Sequence, residues 1–327
     1  MSKNQYFITG GTGFIGRAIV KQLLQYRITS RITLLTRNVD KFVNQYPDIA
    51  SSNVVDFYEA DMRESFNLDS NYSHFIHGAT EVNDRLVKNQ LEYAESIVQG
   101  VRNSLEASIR SGVSKFVLLS SGAVYLNNNI NNYGLKISEQ NTSAPVTTDS
   151  NSVYGNAKRY SETLCAIYSN QYDIEVKIAR IFSVVGDEMP LDGQYAIGNF
   201  VRDALMDDVE RIKLDGDGSE VRSYLHVDDV ANWVLSILEN GEDCQFYNVG
   251  SESELSVLEL AKKVRDILSP SKEITINVDP AKTSGRSYYV PDCSLIKKML
   301  GVEERYSYVD VLYNMKRYKN LLNKKMT

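Results

Sequence analysis

Residues 6–16 read Tyr-Phe-Ile-Thr-Gly-Gly-Thr-Gly-Phe-Ile-Gly, a short apolar strand that runs directly into spaced glycines, and a helical pattern follows through Leu24. Gly10 permits a tight turn, Gly13 lets the backbone approach a pyrophosphate, and Gly16 lets the helix pack closely on the strand. The unpaired amides at the start of the helix would then face the phosphates. The spacing is G-x-x-G-x-x-G and not the commoner G-x-G-x-x-G, so a glycine turn that binds no ligand is the alternative.

The alternation of strand and helix continues through the first half of the chain. Apolar runs that predict strands lie at residues 31–35, 54–58, 74–77, 116–119 and 175–181, and the long helical patterns cover Leu91 to Ser111 and Tyr154 to Tyr172. Such alternation is typical of a parallel sheet with helices on both faces. We therefore predict an α/β fold with a Rossmann-type doubly wound parallel sheet, whose ligands bind at the carboxyl ends of the strands.

The second half of the chain is built of shorter units. Residues 245–250 read as a strand that returns to the first sheet, whereas residues 257–268 and 294–300 read as helices. The predicted organisation is a dinucleotide-binding domain over residues 1–186, completed by a return strand at about 244–250. A smaller, interleaved C-terminal α/β domain over residues 187–327 would supply the substrate pocket.

Composition narrows the class of protein. The net charge of -6 argues against a nucleic-acid-binding surface as the main function, and no apolar run is long enough to span a bilayer. Three widely spaced cysteines, which we expect to be small buried hydrophobes, fit a reducing cytoplasm. The three histidines lack the spacing of metal ligands, so no metal site is predicted.

The end of the second strand bears on the choice of cofactor. A site that binds the adenosine ribose of NAD usually places a carboxylate there, whereas this chain has Thr36 followed by Arg37. A guanidinium suits a 2′-phosphate, so NADP(H) is the predicted cofactor and NAD(H) the alternative. A solvated surface arginine is the other interpretation of Arg37.

Two further strand ends carry candidate cofactor residues. Asp61 and Met62 follow the third strand, where such a pair can cap the adenine, although Asp61 could equally be a turn residue. Ala79 and Thr80 follow the fourth strand, and small residues there allow a cofactor to lie on the backbone.

Tyr154 and Lys158 are the candidate catalytic pair. Four residues apart on a helix, they would share one face, where the lysine ammonium lowers the pKa of the phenol and makes it a better proton donor. A chance surface pair is the alternative. Between Tyr125 and Tyr154, residues 127–152 form a long polar loop that either covers the active site or is decoration.

These motifs together resemble the extended short-chain dehydrogenase/reductase family, in particular its nucleotide-sugar branch of epimerases, dehydratases and reductases. The similarity covers nearly the whole chain. Its motifs are Thr9 to Gly16, similar to T-G-x-x-G-F-I-G; Ser121, aligned with the catalytic serine or threonine; Tyr154 and Lys158, matching Y-x-x-x-K; Arg180 to Gly186, similar to R-x-F-N-x-x-G; and Leu214 to Asp229, similar to G-x-x-x-R-x-F-x-Y-V-x-D.

The resemblance implies roles for individual residues. Tyr154 would be the general acid/base, Lys158 would lower its pKa and hold the nicotinamide ribose, and Ser121 would hydrogen-bond the reacting oxygen. It implies Phe14 and Ile15, together with Gly10, Gly13 and Gly16, as cofactor contacts. It implies Ser183, which replaces the family's usual asparagine, and Arg222 and Arg286 as substrate contacts; a surface ion pair is the alternative for each arginine.

One departure from the family pattern bears on the reaction. Sugar 4,6-dehydratases of this family carry ionisable residues just after the catalytic serine or threonine, where this chain has Gly122 and Ala123. We therefore predict an NADP(H)-preferring reductase of a nucleotide-activated 4-keto-6-deoxy sugar. A 4-epimerase with tightly held NAD and a non-catalytic NADP-binding sensor or scaffold are the alternatives. The helices at 91–111 and 154–172 resemble those through which family members form a homodimer.

Overall fold

A computed structural model of the chain describes residues 4–26, 29–68, 72–80, 89–125, 134–191, 195–278 and 287–316. Its strands are β1 (Asn4–Thr9), β2 (Thr29–Thr36), β3 (Val55–Glu59), β4 (His74–His77), β5 (Lys115–Ser121), β6 (Glu175–Ile181), β7 (Val184–Val185), β8 (Arg211–Asp215), β9 (Val221–Arg222), β10 (Leu225–His226), β11 (Phe246–Val249), β12 (Leu255–Ser256), β13 (Glu273–Asn277) and β14 (Tyr288–Tyr289). Its α-helices are α1 (Phe14–Tyr26), α2 (Val39–Gln45), α3 (Pro47–Ala50), α4 (Gln90–Arg110), α5 (Val153–Gln171), α6 (Ala196–Leu205), α7 (Val227–Asn240), α8 (Val257–Leu268) and α9 (Ser294–Leu300).

Seven strands form one central parallel sheet in the order β11-β6-β5-β4-β1-β2-β3. The chain moves outward from β1 to β3 and then returns to the other side of β1 with β4. The strand order therefore reverses between β1 and β4, which is the point where ligands bind in open sheets of this kind. The glycine turn follows β1 and Thr80 follows β4, so both predicted cofactor segments lie at this crevice.

Separate apolar cores cover the two faces of the sheet. On one face, α1 and α7 contribute Ile19, Leu23, Trp233 and Ile237 to a cluster that includes Ile8 of β1. On the other face, α4 and α5 contribute Val101, Leu105, Leu164 and Cys165 to a cluster with Phe75 and Phe116 of β4 and β5. These two cores confirm the predicted doubly wound arrangement.

The C-terminal half forms smaller sheets around its own core. Strands β12, β9 and β14 form one sheet, β13 pairs with β8, and β10 pairs with β7. The core joins α6 and α8 through Phe200, Val201, Leu260 and Val264. As predicted, β11 returns to the central sheet, where it pairs in parallel with β6. The division into domains at residue 186 stays a prediction.

The prediction that all cysteines are buried is wrong for Cys244. Cys165 and Cys293 are buried free thiols, but Cys244 is exposed. It lies in the turn between α7 and β11 with a left-handed φ of 57°, and its amide donates to the carbonyl of Val176. The turn geometry therefore directs this side chain away from the core. Within the described ranges, no helix combines the length and the apolar character needed to cross a membrane.

Candidate active site

The glycine turn after β1 is closely packed against the end of β4. Gly10 has a φ of 73°, and a Cβ at this position would lie 2.5 Å from the carbonyl carbon of Gly78. A Cβ on Gly16 would overlap the carbonyl of Gly10, so only a glycine at this position allows the first turn of α1 to pack on the loop. Gly13 donates its amide to the carbonyl of Gly10 at 3.0 Å. This compact turn positions the start of α1 at the crevice, as a dinucleotide site requires.

Phe14 and Ile15, the first two residues of α1, pack this helix against the rest of the protein. Phe14 and Ile15 are partly buried and pack against the core beneath the sheet, and Phe14 also contacts the core of the C-terminal half. The cofactor contacts expected at Phe14 and Ile15 stay predictions.

The end of β4 is linked directly to the candidate catalytic lysine. Thr80 donates its hydroxyl to the carbonyl of Ala79 at 2.7 Å and accepts from Lys158 Nζ at 2.8 Å. Lys158 Nζ also donates to the carbonyl of Leu119 on β5 at 3.0 Å. One ammonium thus bridges α5 and the ends of two neighbouring strands.

Lys158 is a buried cation. Burial lowers its pKa to about 8, an effect that the carboxylate of Glu162 opposes. The ammonium therefore remains mainly protonated near neutral pH. Burial first, and then the charge of Lys158, lowers the pKa of His77 to about 3, so this histidine below Lys158 is neutral. Lys158 Nζ lies 5.9 Å from the centroid of the Tyr154 ring.

A buried ion pair that the sequence did not predict lies behind Lys158. Arg180 on β6 donates from Nη2 to Glu162 Oε2 at 2.6 Å and from Nε to Glu162 Oε1 at 3.0 Å. Ser120 adds a hydroxyl donor to Glu162 Oε1 at 2.6 Å. Glu162 is four residues after Lys158, one helical turn further along α5. This spacing could have predicted from the sequence that a compensating carboxylate lies near Lys158.

Tyr154 lies in the first turn of α5, and Ser121 lies at the end of β5. Ser121 ends β5, and its hydroxyl accepts from the amide of Ala123 at 3.1 Å in the short 3-10 turn of residues 122–124. A Cβ on Gly155 would overlap the carbonyl of Ala123, so α5 approaches this turn as closely as a glycine allows. The Tyr154 ring stacks on Tyr93 of α4. Ser121, Tyr154 and Lys158 thus gather at the carboxyl edge of the sheet; their roles stay predictions.

Tyr289 is a further side chain at this centre that the sequence did not predict. Its ring packs on Phe182 with centroids 4.6 Å apart. Its hydroxyl is positioned over Gly122, where an added Cβ would overlap it. Burial raises the pKa of Tyr289, the neighbouring Tyr154 raises it further, and hydrogen bonding with the Ser121 side chain opposes both. Gly122 was the one hint of this side chain in the sequence, because a small residue after Ser121 leaves space that another group must fill.

The candidate adenosine end lies at the ends of β2 and β3. Thr36 is buried and Arg37 is exposed. The hydrogen bond from Arg63 lowers the pKa of Asp61, and the charge of Arg37 contributes to the same shift. Asp61 also accepts from the amide of Arg63 at 2.9 Å, which is the turn role that the sequence left open. An ionised Asp61 near Arg37 therefore borders this end of the crevice.

Met62 connects this end of the crevice to α4. Its carbonyl accepts from Asn103 Nδ2 at 2.9 Å, and its side chain packs against Gly100.

The predicted substrate contacts are only partly described. Arg222 on β9 donates from Nη2 to Glu220 at 2.9 Å and from Nη1 to the Ser287 hydroxyl at 2.8 Å, and its guanidinium lies 5.8 Å from the Tyr289 ring. The ion-pair alternative for Arg222 is therefore present in the structure, beside the site. Ser183 joins β6 to β7, and its carbonyl accepts from Leu225. Arg286 lies outside the described residues.

Comparison with known proteins identifies relatives of the chain. The chain is 27% identical over 318 residues to UDP-glucuronic acid decarboxylase 2 of Arabidopsis thaliana, and the match covers 92% of this chain but 64% of that protein. It is 26% identical over 322 residues to UDP-glucuronic acid decarboxylase 5 of the same plant, covering 93% of this chain and 86% of that protein.

Solved structures share the fold. The UDP-glucose 4-epimerase of Thermotoga maritima superposes with a TM-score of 0.81 at 23% identity, covering 99% of this chain and 100% of that one. The model of the NAD dependent epimerase/dehydratase family matches residues 6–250, most of the chain. The chain therefore belongs to the NAD-dependent epimerase/dehydratase family.

Proposed function

We propose that this protein is an oxidoreductase that acts at the C4 alcohol or ketone of a nucleotide sugar. The observation that carries the proposal is the position of Lys158. Its buried ammonium is held by Thr80 and by the carbonyl of Leu119, and it lies beside the ring of Tyr154. A buried charge is costly unless a function or a partner requires it. Relatives that are named as nucleotide-sugar enzymes support the substrate class.

The residues of the crevice fit a nicotinamide dinucleotide. The glycine turn leaves the start of α1 close to backbone at Gly10 and Gly78, with no side chain between them. When bound, the nicotinamide would supply or accept the hydride. Lys158 would hold the adjacent ribose, and Gly13, Ala79 and Thr80 would line the path of the phosphates.

Tyr154 would move the proton. When a hydride reaches a carbonyl carbon, the oxygen becomes an alkoxide that must be protonated in place. The ammonium of Lys158 near the phenol favours the phenolate that this step leaves behind. Ser121 would donate a hydrogen bond to the same oxygen and stabilise its developing charge.

We further propose that the net reaction is reduction of a 4-keto-6-deoxy sugar. Gly122 and Ala123 carry no ionisable side chain to deprotonate C5 or to assist loss of water from C6. The hydroxyl of Tyr289 fills the space beside Gly122, and burial raises its pKa, so it stays protonated near neutral pH and cannot accept a proton there. These features support simple hydride and proton transfer.

A redox-neutral reaction is the second candidate, and the relatives favour it. The curated relatives are named as UDP-glucuronic acid decarboxylases, and similar folds include epimerases crystallised with NAD. If the substrate carried a carboxylate on C5, its oxidation at C4 would give a β-keto acid. Loss of CO₂ from this acid needs no base at residue 122 or 123, because the electrons of the broken bond form an enolate, which then takes up a proton from water at C5. Reduction at C4 would then complete the cycle with no net use of cofactor. A 4-epimerase would likewise consume no cofactor overall.

Purified protein assayed with a panel of nucleotide sugars separates these reactions. Stoichiometric consumption of NADPH or NADH with 4-keto-6-deoxy substrates is expected for a reductase. Release of CO₂ from UDP-glucuronic acid, or formation of a 4-epimer, without net cofactor use would replace reduction by the redox-neutral candidate. If no nucleotide sugar reacts while dinucleotide still binds, the protein is a non-catalytic sensor or scaffold and the proposed function is wrong.

The preference for NADP(H) is a separate proposal that rests on Arg37. The end of β2 has no carboxylate to accept from a ribose hydroxyl, and the exposed Arg37 lies near Asp61. We expect Arg37→Glu to lower kcat/KM for NADPH by about 10-fold or more relative to NADH, because a charge-assisted hydrogen bond would become a repulsion. Arg31→Glu, at the start of the same strand, is the matched control. An unchanged NADPH:NADH ratio in Arg37→Glu would disprove the preference.

A further inference from the structure

The first turn of α5, which carries Tyr154, is weakly fixed by its own sequence. Tyr154 is the second residue of the helix, and Gly155 follows it. Glycine is a poor helix former because it leaves the backbone more conformational freedom. Within the described part of the chain, the side chain of Ser152 at the N-cap makes no capping hydrogen bond to the helix. The position of the Tyr154 ring therefore depends on packing from outside this turn.

The first turn of the neighbouring helix α4, by contrast, is capped. The Asn89 side chain accepts from the amides of Leu91 at 3.1 Å and Glu92 at 3.4 Å, and its Nδ2 donates to the Glu92 carboxylate at 2.7 Å. The amide of Tyr93 donates to the carbonyl of Asn89 at 3.1 Å. An asparagine at the N-cap satisfies backbone donors that would otherwise be unpaired. Tyr93 therefore lies at the end of a hydrogen-bonded turn.

The ring of Tyr93 packs against the ring of Tyr154 across the two helices. The ring centroids are 6.3 Å apart and the ring planes differ by 14°, which is a stacked arrangement. Tyr93 is 2% exposed and forms an apolar cluster with Ile97 and Ala157. The partly buried Tyr154 packs against that cluster. The capped helix α4 thus provides a surface on which the Tyr154 ring rests.

Two neighbours with different tasks therefore border the Tyr154 ring. Lys158 Nζ, on the same helix, lies 5.9 Å from the ring centroid and contributes a charge. Tyr93 contributes ring surface, which restricts where the phenol of Tyr154 lies. Proton transfer requires the donor to be within hydrogen-bonding reach of the reacting oxygen. A Tyr154 ring without this surface would spend less time at that position.

We propose that Tyr93 is a positioning residue whose ring holds the phenol of Tyr154 where it protonates the reacting oxygen of the sugar. The inference rests on the proposed function, since Tyr93 acts through the acid of that reaction. It explains how the acid can lie in a turn that contains a glycine and lacks a side-chain cap, because α4 provides the missing constraint. It also adds α4 to a centre otherwise built by β4, β5 and α5.

Turnover separates this role from general packing. We expect Tyr93→Leu, which keeps apolar volume but removes the ring, to lower kcat by about 10- to 100-fold, because a small displacement of a catalytic group has an effect of this size. Tyr93→Phe keeps the stacked ring, so its kcat should be within about 3-fold of the native value. The dissociation constant of the dinucleotide should be unchanged in both variants, since Lys158 retains Thr80 and the carbonyl of Leu119 as partners.

A double variant tests whether Tyr93 acts through Tyr154. In a Tyr154→Phe background, which has lost the acid, Tyr93→Leu should cause no further loss of kcat. An unchanged kcat in Tyr93→Leu alone, or losses that multiply in the double variant, would overturn the proposal.

Leu105→Ala is the matched control for stability. Leu105 is also buried on α4, but it belongs to the core shared with Phe75 and Phe116. Its truncation should lower Tm at least as much as Tyr93→Leu does, while kcat measured well below Tm should stay within about 3-fold of the native value. A loss of kcat as large as that in Tyr93→Leu would assign the effect to the packing of α4 in general and overturn the positioning role.

A fluorine NMR spectrum reads the contact without any turnover. In protein labelled with 3-fluorotyrosine, the resonance of Tyr154 is the one that disappears in Tyr154→Phe. This resonance should shift and broaden in Tyr93→Leu, because the ring current of Tyr93 is lost and the Tyr154 ring samples more positions. An unchanged resonance would overturn the inference even if the native protein turns over nucleotide sugars. If the native protein turns over none, the proposed function fails, while the spectrum still decides whether Tyr93 holds the Tyr154 ring.

Discussion

At the scale of single residues, the proposed chemistry depends on a phenol and an ammonium that share one helical turn. Lys158 Nζ lies 5.9 Å from the Tyr154 ring centroid and is fixed by two further acceptors, Thr80 and the carbonyl of Leu119. The ammonium therefore has one defined position beside the phenol. The proposed role of Tyr154 as the acid depends on this arrangement.

The first prediction removes the acid. Tyr154→Phe should lower kcat by a factor of about 100 to 10,000, because the alkoxide loses its positioned proton donor. Dinucleotide binding, measured by fluorescence titration, should change by less than about 3-fold, since Lys158 retains Thr80 and Leu119 as partners. Tyr26→Phe is a control at the far end of α1, where the hydroxyl donates to Asn232. Turnover by Tyr154→Phe equal to that of the control would exclude Tyr154 as the acid.

A second prediction concerns pH. Lys158 has a pKa lowered to about 8, so the folded protein loses this proton well before the unfolded chain does, and activity that needs the ammonium should fall as pH rises through about 8. Glu162 and Cys165 on the same helix raise the pKa of Lys158, and His77 beneath it stays neutral. In Glu162→Gln the alkaline limb of kcat/KM should therefore move to lower pH.

The control for that experiment removes both charges of the Glu162–Arg180 ion pair together. Glu162→Gln alone leaves the guanidinium of Arg180 buried without its carboxylate, at a cost in unfolding free energy of about 3–5 kcal/mol. The double variant Glu162→Gln, Arg180→Met removes both charges, and its alkaline limb should lie closer to that of the native protein. If the limb stays in place in Glu162→Gln, Lys158 does not set the alkaline limit.

At the scale of elements, the site depends on how closely α5 approaches the 3-10 turn after Ser121. The third prediction compares two glycines within helices. Gly155→Ala should lower the unfolding free energy by about 1–3 kcal/mol and reduce kcat, because the new Cβ overlaps the backbone carbonyl of Ala123. Gly100→Ala on α4 meets only the flexible end of Met62, so its stability should stay within about 1 kcal/mol. Equal chemical-denaturation midpoints for the two variants would refute this account of the close approach.

The elements themselves were largely predictable from the sequence. Hydrophobic runs and glycine punctuation located β1, β4, β6, α4 and α5 to within about two residues, because each buries a continuous apolar face. The position of Gly13, Thr80 and Ser121 at one edge of the sheet followed from the rule that ligands bind at the carboxyl ends of parallel strands, whereas Tyr154 and Lys158 were grouped with Ser121 by the family resemblance.

The parts that the sequence did not predict come from long-range packing. Tyr289 is separated from Ser121 by more of the chain than any local pattern spans, and its position depends on the pairing of β14 with β9 and on contacts with Ile137. The side-chain contacts of Arg222 depend on Ser287 and Glu220, which periodicity does not specify. Cys244 is exposed because it is itself the left-handed residue of a turn.

At the scale of the whole molecule, the remaining question is how copies of the chain associate. Helices α4 and α5 pack together on one face of the sheet and carry large exposed apolar side chains, with Leu91 76% and Ile167 39% exposed. These side chains are apolar area that a second copy of the chain could cover. We propose a homodimer formed through these helices, as in the family that the chain resembles.

Charge substitutions on that helix pair test the homodimer. The native protein should sediment as a dimer, and Leu91→Asp with Ile167→Asp should sediment as a monomer, because two carboxylates would have to be buried without partners. The proposed catalytic residues all come from one chain, so kcat of the monomer should stay within about 3-fold of the native value. Tyr313→Asp, a similarly exposed site near the C-terminal end of the described chain, is the matched control and should remain dimeric. A native monomer, or a dimer that survives the α4 and α5 substitutions, would place any interface elsewhere and leave these apolar side chains as ordinary surface.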